Sequence, residues 1–175
     1  MTQPLDKSWH LALDEDEIQI AEFEFQLWRI FYGFLRWQED CQRYVCNDTL
    51  SGYEIALLHI IRMNKRSKTI YELSRLLNRD DPNNIQYGLN KLIKLGLIEK
   101  EKSTTTQKAL AYKITDQGIK NTDEFCLARS SILIESFRKG GLPDLGLEKL
   151  TTSLIKIRGI YDEASRLAAS YKKID

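Results

Sequence analysis

Three features of the 175-residue sequence predict a mainly α fold with one small two- or three-stranded β element. Helix-start signatures recur at Asp14, Ser51, Thr69 and Asp81, a heptad seam runs from Leu147 to Tyr171, and strand-like alternation is confined to one stretch after Gly96. The composition, 42% hydrophobic and 29% charged with a net charge of +1, is that of a soluble globular chain. A chain of this length buries roughly 70% of its unfolded surface, so it needs neither disulfides nor a metal to stay folded.

Asp14 with Glu17 makes a capping box, and Leu13 against Ile18 would be its hydrophobic staple. From there to about Cys46 the pattern is helical. Ile20, Phe23, Leu27, Phe31, Phe34, Cys41 and Val45 share one broad stripe, which Trp28, Leu35 and Trp37 widen. A helix this long and this apolar requires two partners, its own domain and a second surface of similar length. Ser51 with Glu54, stapled by Leu50 and Ile55, opens a helix to about Met63 with Ile55, Leu58 and Ile61 inward. Thr69 with Glu72 opens another, to about Leu77. Asp81 before Pro82 supplies an N-cap and a first-turn proline, and Gly96 ends that helix as its C′ residue. Only Asn78, Arg79 and Asp80 separate these last two helices, which is the joint of a helix-turn-helix.

After Gly96 the period becomes two. Residues 97–102 and 111–115 read as strands around a polar tip from Ser103 to Lys108, and a hairpin directly after a helix-turn-helix is a wing. Thr115 or Asp116 caps a further helix carrying Ile119, Cys126, Leu133 and Phe137, which Gly140-Gly141 before Pro143 stops. The final helix places Leu147, Leu150, Leu154, Ile157, Tyr161, Ala164, Ala168 and Tyr171 at alternating steps of three and four. The expected architecture is a winged helix-turn-helix with long N- and C-terminal dimerisation helices. Residues 1–13 form an N-terminal arm, 14–47 a dimerisation helix, 48–120 the winged lobe and 121–175 the C-terminal dimerisation helices.

Charge is unevenly spread. Residues 1–50 carry a net −6, residues 51–120 a net +6 and residues 121–175 a net +1. The middle of the chain is where an anion would approach. There the helix from Pro82 displays Asn83, Asn84, Gln86, Tyr87, Asn90, Lys91 and Lys94 between inward Ile85, Leu89, Leu92 and Ile93. Asn and Gln are the side chains that pair with base edges in a major groove, and they are poor choices for a merely solvated helical face. Phosphate contacts are expected from Lys65, Arg66, Lys68, Arg75 and Arg79 around the helix-turn-helix and from Lys100, Lys102 and Lys108 on the wing.

Other classes are disfavoured. No Gly-rich phosphate loop, GxSxG elbow or Walker motif is present, so no enzyme is predicted. His10, His59, Cys41, Cys46 and Cys126 show no ligand spacing, so neither metal nor cofactor is expected. The scattered thiols and the missing signal sequence suggest a cytosolic protein. The most apolar stretch, residues 27–37, is far short of the ~20 residues that span a bilayer, so no membrane partner is expected.

The order of elements, with Leu92-Ile93-Lys94-Leu95-Gly96-Leu97-Ile98-Glu99-Lys100 leaving the third short helix and Lys113-Ile114-Thr115-Asp116-Gln117-Gly118 joining strand to helix, resembles the MarR family of winged-helix transcriptional regulators over about residues 14–172. The resemblance implies a homodimer whose outer helices pair and whose central lobe binds double-stranded DNA, more often as repressor than as activator. It also implies a small aromatic effector between the dimer helices and the lobe, or control by thiol oxidation. Trp9, Trp28, Phe31, Tyr32, Trp37 and Tyr53 are the aromatic candidates for such a pocket. Cys41 and Cys46 diverge by roughly 140° on a helix, which disfavours a mutual disulfide. Two positions depart from the family: Tyr87 stands where an arginine is common, and Thr104-Thr105-Thr106-Gln107-Lys108 replaces an Asp-x-Arg wing tip. These departures favour an alternative, a winged-helix protein-interaction module that has lost specific DNA binding.

Overall fold

A computed structural model of the chain describes residues 10–46, 49–79, 81–102, 110–141 and 146–171. The expected wing tip with Lys108, residues 1–9 of the expected arm with Trp9, and Asp80 lie outside the described residues. The element order is α1 (Glu15–Val45), α2 (Gly52–Arg62), a 3-10 turn (Met63–Lys65), β1 (Lys68–Thr69), α3 (Ile70–Leu77), α4 (Pro82–Lys94), β2 (Ile98–Lys102), β3 (Leu110–Ile114), α5 (Asp116–Arg129), a π-helical turn (Ser130–Ile134), α6 (Glu135–Lys139) and α7 (Leu147–Ser170). The strands form an antiparallel sheet in the order β1-β3-β2. β1 pairs Lys68 with Tyr112 and Thr69 with Ala111, and at two residues it is too short to show a period in the sequence. The chain divides into two compact units, one ending at Ala128 and the other beginning at Arg129.

The first unit is organised around α2. Its Ser51 hydroxyl accepts from the Glu54 N–H, while the Glu54 carboxylate accepts from the Ser51 N–H at 2.8 Å. Thr69 and Glu72 repeat this box at α3. Asp81 caps α4 by accepting from the Asn84 N–H at 3.1 Å. The three helices bury Ile55, Leu57, Leu58, Ile61, Leu73, Ile85, Leu89 and Leu92 completely or nearly so, and Leu97, Ile98 and Tyr112 close the core from the sheet. Each such side chain contributes roughly 1.5–3 kcal/mol of apolar burial. Gly88 lets α4 approach α2, because a Cβ there would come within 3.1 Å of Leu57 Cδ2.

Leu97 and α5 are drawn together more tightly still. A Cβ on Gly118 would lie 2.1 Å from the Leu97 carbonyl oxygen. Thr115 holds this crossing: its N–H donates to Leu97 O at 3.1 Å, its hydroxyl donates to Gly96 O at 2.6 Å and accepts from the Gly118 N–H at 3.1 Å. α1 joins the unit through its C-terminal half, where the buried Gln42 side chain donates to Asn121 Oδ1 on α5 at 3.1 Å.

Four expectations change. At the start of α1, Asp14 accepts from the Glu17 N–H, but the Glu17 carboxylate returns to the Leu13 N–H at 2.7 Å. Leu13 is 89% exposed and makes no staple, since its pinned backbone sends the side chain outward. On α5, Ile119 and Cys126 face out and Asn121, Thr122, Phe125 and Ala128 face in. The orientation is set by polar ties, Gln42 to Asn121 and Arg62 to Thr122 at 2.5 Å, rather than by the apolar spacing. The expected single helix from residue 116 to Gly140 is interrupted by the π-helical turn. Lys68 is no phosphate ligand. It is wholly buried, its ammonium donating to the carbonyls of Ile61 at 2.9 Å, of Arg66 at 3.1 Å and of Met63.

In the second unit, no residue of α7 is buried and the seam lies open, with Leu147, Leu150, Leu154 and Tyr161 all 40% exposed or more. Within the first unit the same is true of Ile20, Phe31 and Phe34 on α1, each more than half exposed. Among the described residues, no helix is long and apolar enough to cross a membrane.

The Glu72 box supplies a pH test. The Thr69 N–H first, and Arg66 at 2.7 Å with it, hold the Glu72 carboxyl below the usual range. A folded-state pKa below the unfolded one means that the carboxylate stabilises the fold above about pH 4.3, and that this contribution is lost as pH falls through the folded value. Glu72→Gln should therefore lower stability by about 1 kcal/mol at pH 7 in urea unfolding, and the gap to the parent should close on acidification.

Candidate nucleic-acid interface

The side of α4 away from the core forms one continuous exposed face. Asn83, Tyr87, Asn90 and Lys94 follow at steps of four, three and four, so they stack in a single row along the helix, and all four are exposed. Tyr87, at the middle of the row, is 70% exposed. Their carrier is rigid, because Ile85, Leu89 and Leu92 on the opposite side have no solvent exposure.

The other predicted residues of α4 are engaged within the lobe. The Asn84 amide and N–H both donate to the Asp81 carboxylate, so Asn84 completes the cap. Gln86 is half-buried: its amide donates to Asn90 Oδ1 at 3.0 Å, and its carbonyl accepts from the Tyr112 hydroxyl at 3.3 Å. Lys91 pairs at 2.7 Å with Glu54, a carboxylate only 5% exposed that also accepts from the Ser51 N–H. No short-range pattern signals that pair, because the two residues lie 37 positions apart. Arg79, in the turn before α4, lays its guanidinium over the Tyr53 ring with 4.6 Å to the centroid. Burial pushes the Tyr53 hydroxyl pKa up, Arg79 draws it down and Asp81 opposes Arg79. Arg79 is thus braced against the lobe with its charge beside the head of α4.

The hairpin presents two chemically different faces, as period two requires. Ile98, Lys100 and Lys102 alternate with Glu99 and Glu101 along β2. Lys100 stands opposite Tyr112, whose hydroxyl reaches Gln86, so Lys100 and Lys102 share the α4 side of the sheet and both are exposed. Across the other side, Lys113 bridges Glu99 at 3.1 Å and Glu101 at 3.2 Å. These carboxylates hold the Lys113 pKa up, and Ser67 followed by Lys113 holds the Glu101 pKa down. The structure therefore brings Asn83, Tyr87, Asn90, Lys94, Lys100 and Lys102 to open positions, with Asn84 also exposed at the cap and Arg79 half-buried against Tyr53. Tyr71, 74% exposed on α3, is a further open aromatic residue that carries no signal in the sequence, since it sits at an unremarkable polar position of its helix.

The regulatory candidates separate. Trp28, Phe31 and Tyr32 are exposed along α1, whereas Trp37 packs against the core and Tyr53 lies under Arg79. Cys41 is buried, with burial raising its pKa, Cys46 accepts from the Asn121 amide at 2.9 Å, and Cys126 is exposed. His59 packs edge-on against Phe125, 4.6 Å between ring centres.

Residues 50–118 match the family model described as a winged helix DNA-binding domain. No curated protein sequence matches the chain significantly. The fold is that of MarR family regulators. A crystal structure of a MarR family transcription regulator superposes with a TM-score of 0.67 at 15% identity, covering 86% of this chain and 95% of that one. The regulator BldR from Sulfolobus solfataricus gives 0.63 at 15% identity, covering 84% and 99%. A mutant MarR from E. coli, in a complex with operator DNA, gives 0.64 at 16% identity, covering 78% and 95%.

Removing the Lys91 ammonium strands a nearly buried Glu54 carboxylate. Lys91→Met should destabilise the lobe by about 1–3 kcal/mol in urea unfolding, and Glu54→Gln in the same chain should recover part of it.

Proposed function

We propose that the protein is a DNA-binding transcriptional regulator that acts as a homodimer, setting two copies of α4 into successive major grooves of a pseudo-palindromic operator with half-sites about one helical turn apart. The observation that carries this reading is the open row Asn83, Tyr87, Asn90 and Lys94 on a helix anchored by a fully buried opposite face. The winged-helix match and the likeness to a regulator solved on its operator support it. Lys94, Lys100, Lys102 and Arg79 supply phosphate contacts, with Lys108 at the wing tip. Asn84, Gln86 and Lys91 keep the reading helix in place. The role is repression, with 14–47 and 121–175 as the pairing helices and 48–120 as the reading lobe.

The row has a stated preference. Helix α4 contains no arginine, the usual partner of guanine, whereas Asn pairs with adenine and a Tyr ring covers the thymine methyl. A·T pairs are therefore expected at the centre of each half-site. The competing reading is a protein-interaction module, which the prominence of Tyr87 and the open apolar face of α1 favour.

Titration of selected genomic duplexes at two salt concentrations separates the readings. DNA binding should weaken steeply with salt, and Asn83→Ala should cost about 1–3 kcal/mol. Replacing half-site thymine by uracil should weaken the parent severalfold and leave Tyr87→Ala indifferent. Salt-independent or absent duplex binding would favour the protein module. In sedimentation at micromolar concentration the parent should run at twice the chain mass, and Leu154→Glu with Phe31→Glu should run as a monomer. A parent of single chain mass would defeat the dimer.

A further inference from the structure

We propose that Tyr112 of the wing fixes which way the Asn90 amide faces, so that Asn90 reads a keto oxygen in the major groove, thymine O4 or guanine O6, and not adenine. This role rests on the DNA-binding reading and adds to it a positioning residue that lies outside the reading helix.

The relay is made of Tyr112, Gln86 and Asn90. The Tyr112 hydroxyl donates to Gln86 Oε1 at 3.3 Å, and the Gln86 amide donates to Asn90 Oδ1 at 3.0 Å. Tyr112 is the middle residue of the central strand β3, paired with Lys68 on one edge and with Lys100 on the other, and it is 2% exposed. Packing therefore holds its ring, and its hydroxyl meets α4 at one place. Gln86 is half-buried, and Asn90, one turn further along α4, is exposed. The bonds thus run from the packed sheet to an open position of the reading row.

The polarity of the relay follows from its buried end. A Gln or Asn amide can be turned over, exchanging its oxygen for its N–H2 group with almost no change of shape. The Tyr112 phenol has one proton to donate, and Gln86 Oε1 is the acceptor it reaches. Turning Gln86 over would make the phenol an acceptor and leave its proton without that partner, a costly arrangement for a buried donor. With Oε1 held toward Tyr112, the Gln86 N–H2 group faces Asn90, and Asn90 must answer with Oδ1. The free end of the Asn90 amide is then its pair of N–H donors.

Those donors select among bases. Thymine O4 and guanine O6 accept in the major groove, whereas adenine N6 and cytosine N4 carry donors at the corresponding place and would meet the Asn90 amide donor against donor. The bidentate pair of Asn with adenine needs a free Oδ1, which Asn90 gives to Gln86. That pairing is left to Asn83. An asparagine without the relay would accept either class of base by turning its amide over, so Tyr112 supplies discrimination and not affinity.

The test is competition binding of the full chain to a selected genomic duplex in which each half-site base pair is changed in turn, with Asn90→Ala locating the position that Asn90 reads. There the parent should favour thymine or guanine over adenine by about tenfold, the size of one directed base contact. Replacing the favoured base by 4-thiothymine or 6-thioguanine, in which sulfur stands for the keto oxygen, should weaken the parent severalfold and leave Asn90→Ala indifferent; the analogue that acts identifies the base. Tyr112→Phe, which keeps the ring and removes the hydroxyl, should bring adenine within about twofold of the favoured base while affinity for the best duplex changes less than about threefold. Gln86→Met cuts the relay from the helix side and should lose the same discrimination, a check that does not depend on the folding of the sheet variant. A parent that prefers adenine at this position, no position that responds to Asn90→Ala, or unchanged preference in both relay variants would overturn the role. So would an equal loss of affinity for every sequence, the mark of a merely structural tyrosine. A parent that binds no duplex sinks the DNA reading itself, so the two failures are distinct.

Discussion

The close packing of α4 on α2 is the constraint on which the rest of the lobe depends. Gly88 lets Leu57 pack closely against α4, and Ile85, Leu89 and Leu92 fill the rest of the contact. Lys91 to Glu54 fixes the rotation of α4 about its axis. Because three side chains and one ion pair already consume the inner side, the outer row from Asn83 to Lys94 is held at one height and one azimuth. Neighbouring polar groups serve the same end: Asn84 completes the cap and the half-buried Gln86 meets Tyr112, so the open row gains definition from side chains already bonded within the lobe.

The sheet transmits this definition to the wing. β3 is paired on both edges, to β1 through Lys68 and Thr69 and to β2 over five residues. One strand thereby joins the α2–α3 connection to the hairpin, while the Thr115–Gly118 crossing ties the hairpin base to α5. The two faces of the hairpin then do different chemistry at alternating positions, cationic toward α4 and ion-paired on the other side.

Much of this was legible in the sequence because it is local. Capping boxes, the Asp81-Pro82 start and the Gly96 stop are short-range patterns, and the helices they predict lie within a residue or two of their observed bounds. The features that escaped are made between distant segments. Lys68 looked like any lysine of a basic cluster, and its burial depends on three carbonyls supplied by the turn before it. Glu54 and Lys91, and Gln42 and Asn121, are partners across tens of residues. α5 shows the failure most plainly: its apolar spacing pointed to Ile119 and Cys126, whereas polar ties turned Asn121 and Thr122 inward.

The π-helical turn at Ser130–Ile134 bears on how this chain can vary. A wide turn accommodates one surplus residue relative to regular winding, and each residue carries about 100° of azimuth in an α-helix. Deleting a single residue there would restore ordinary winding with Phe137 and its neighbours kept near their present azimuth, whereas the same deletion in a regular turn would swing them by that angle. The segment is an expansion joint: loss of one codon within it is taken up where it occurs.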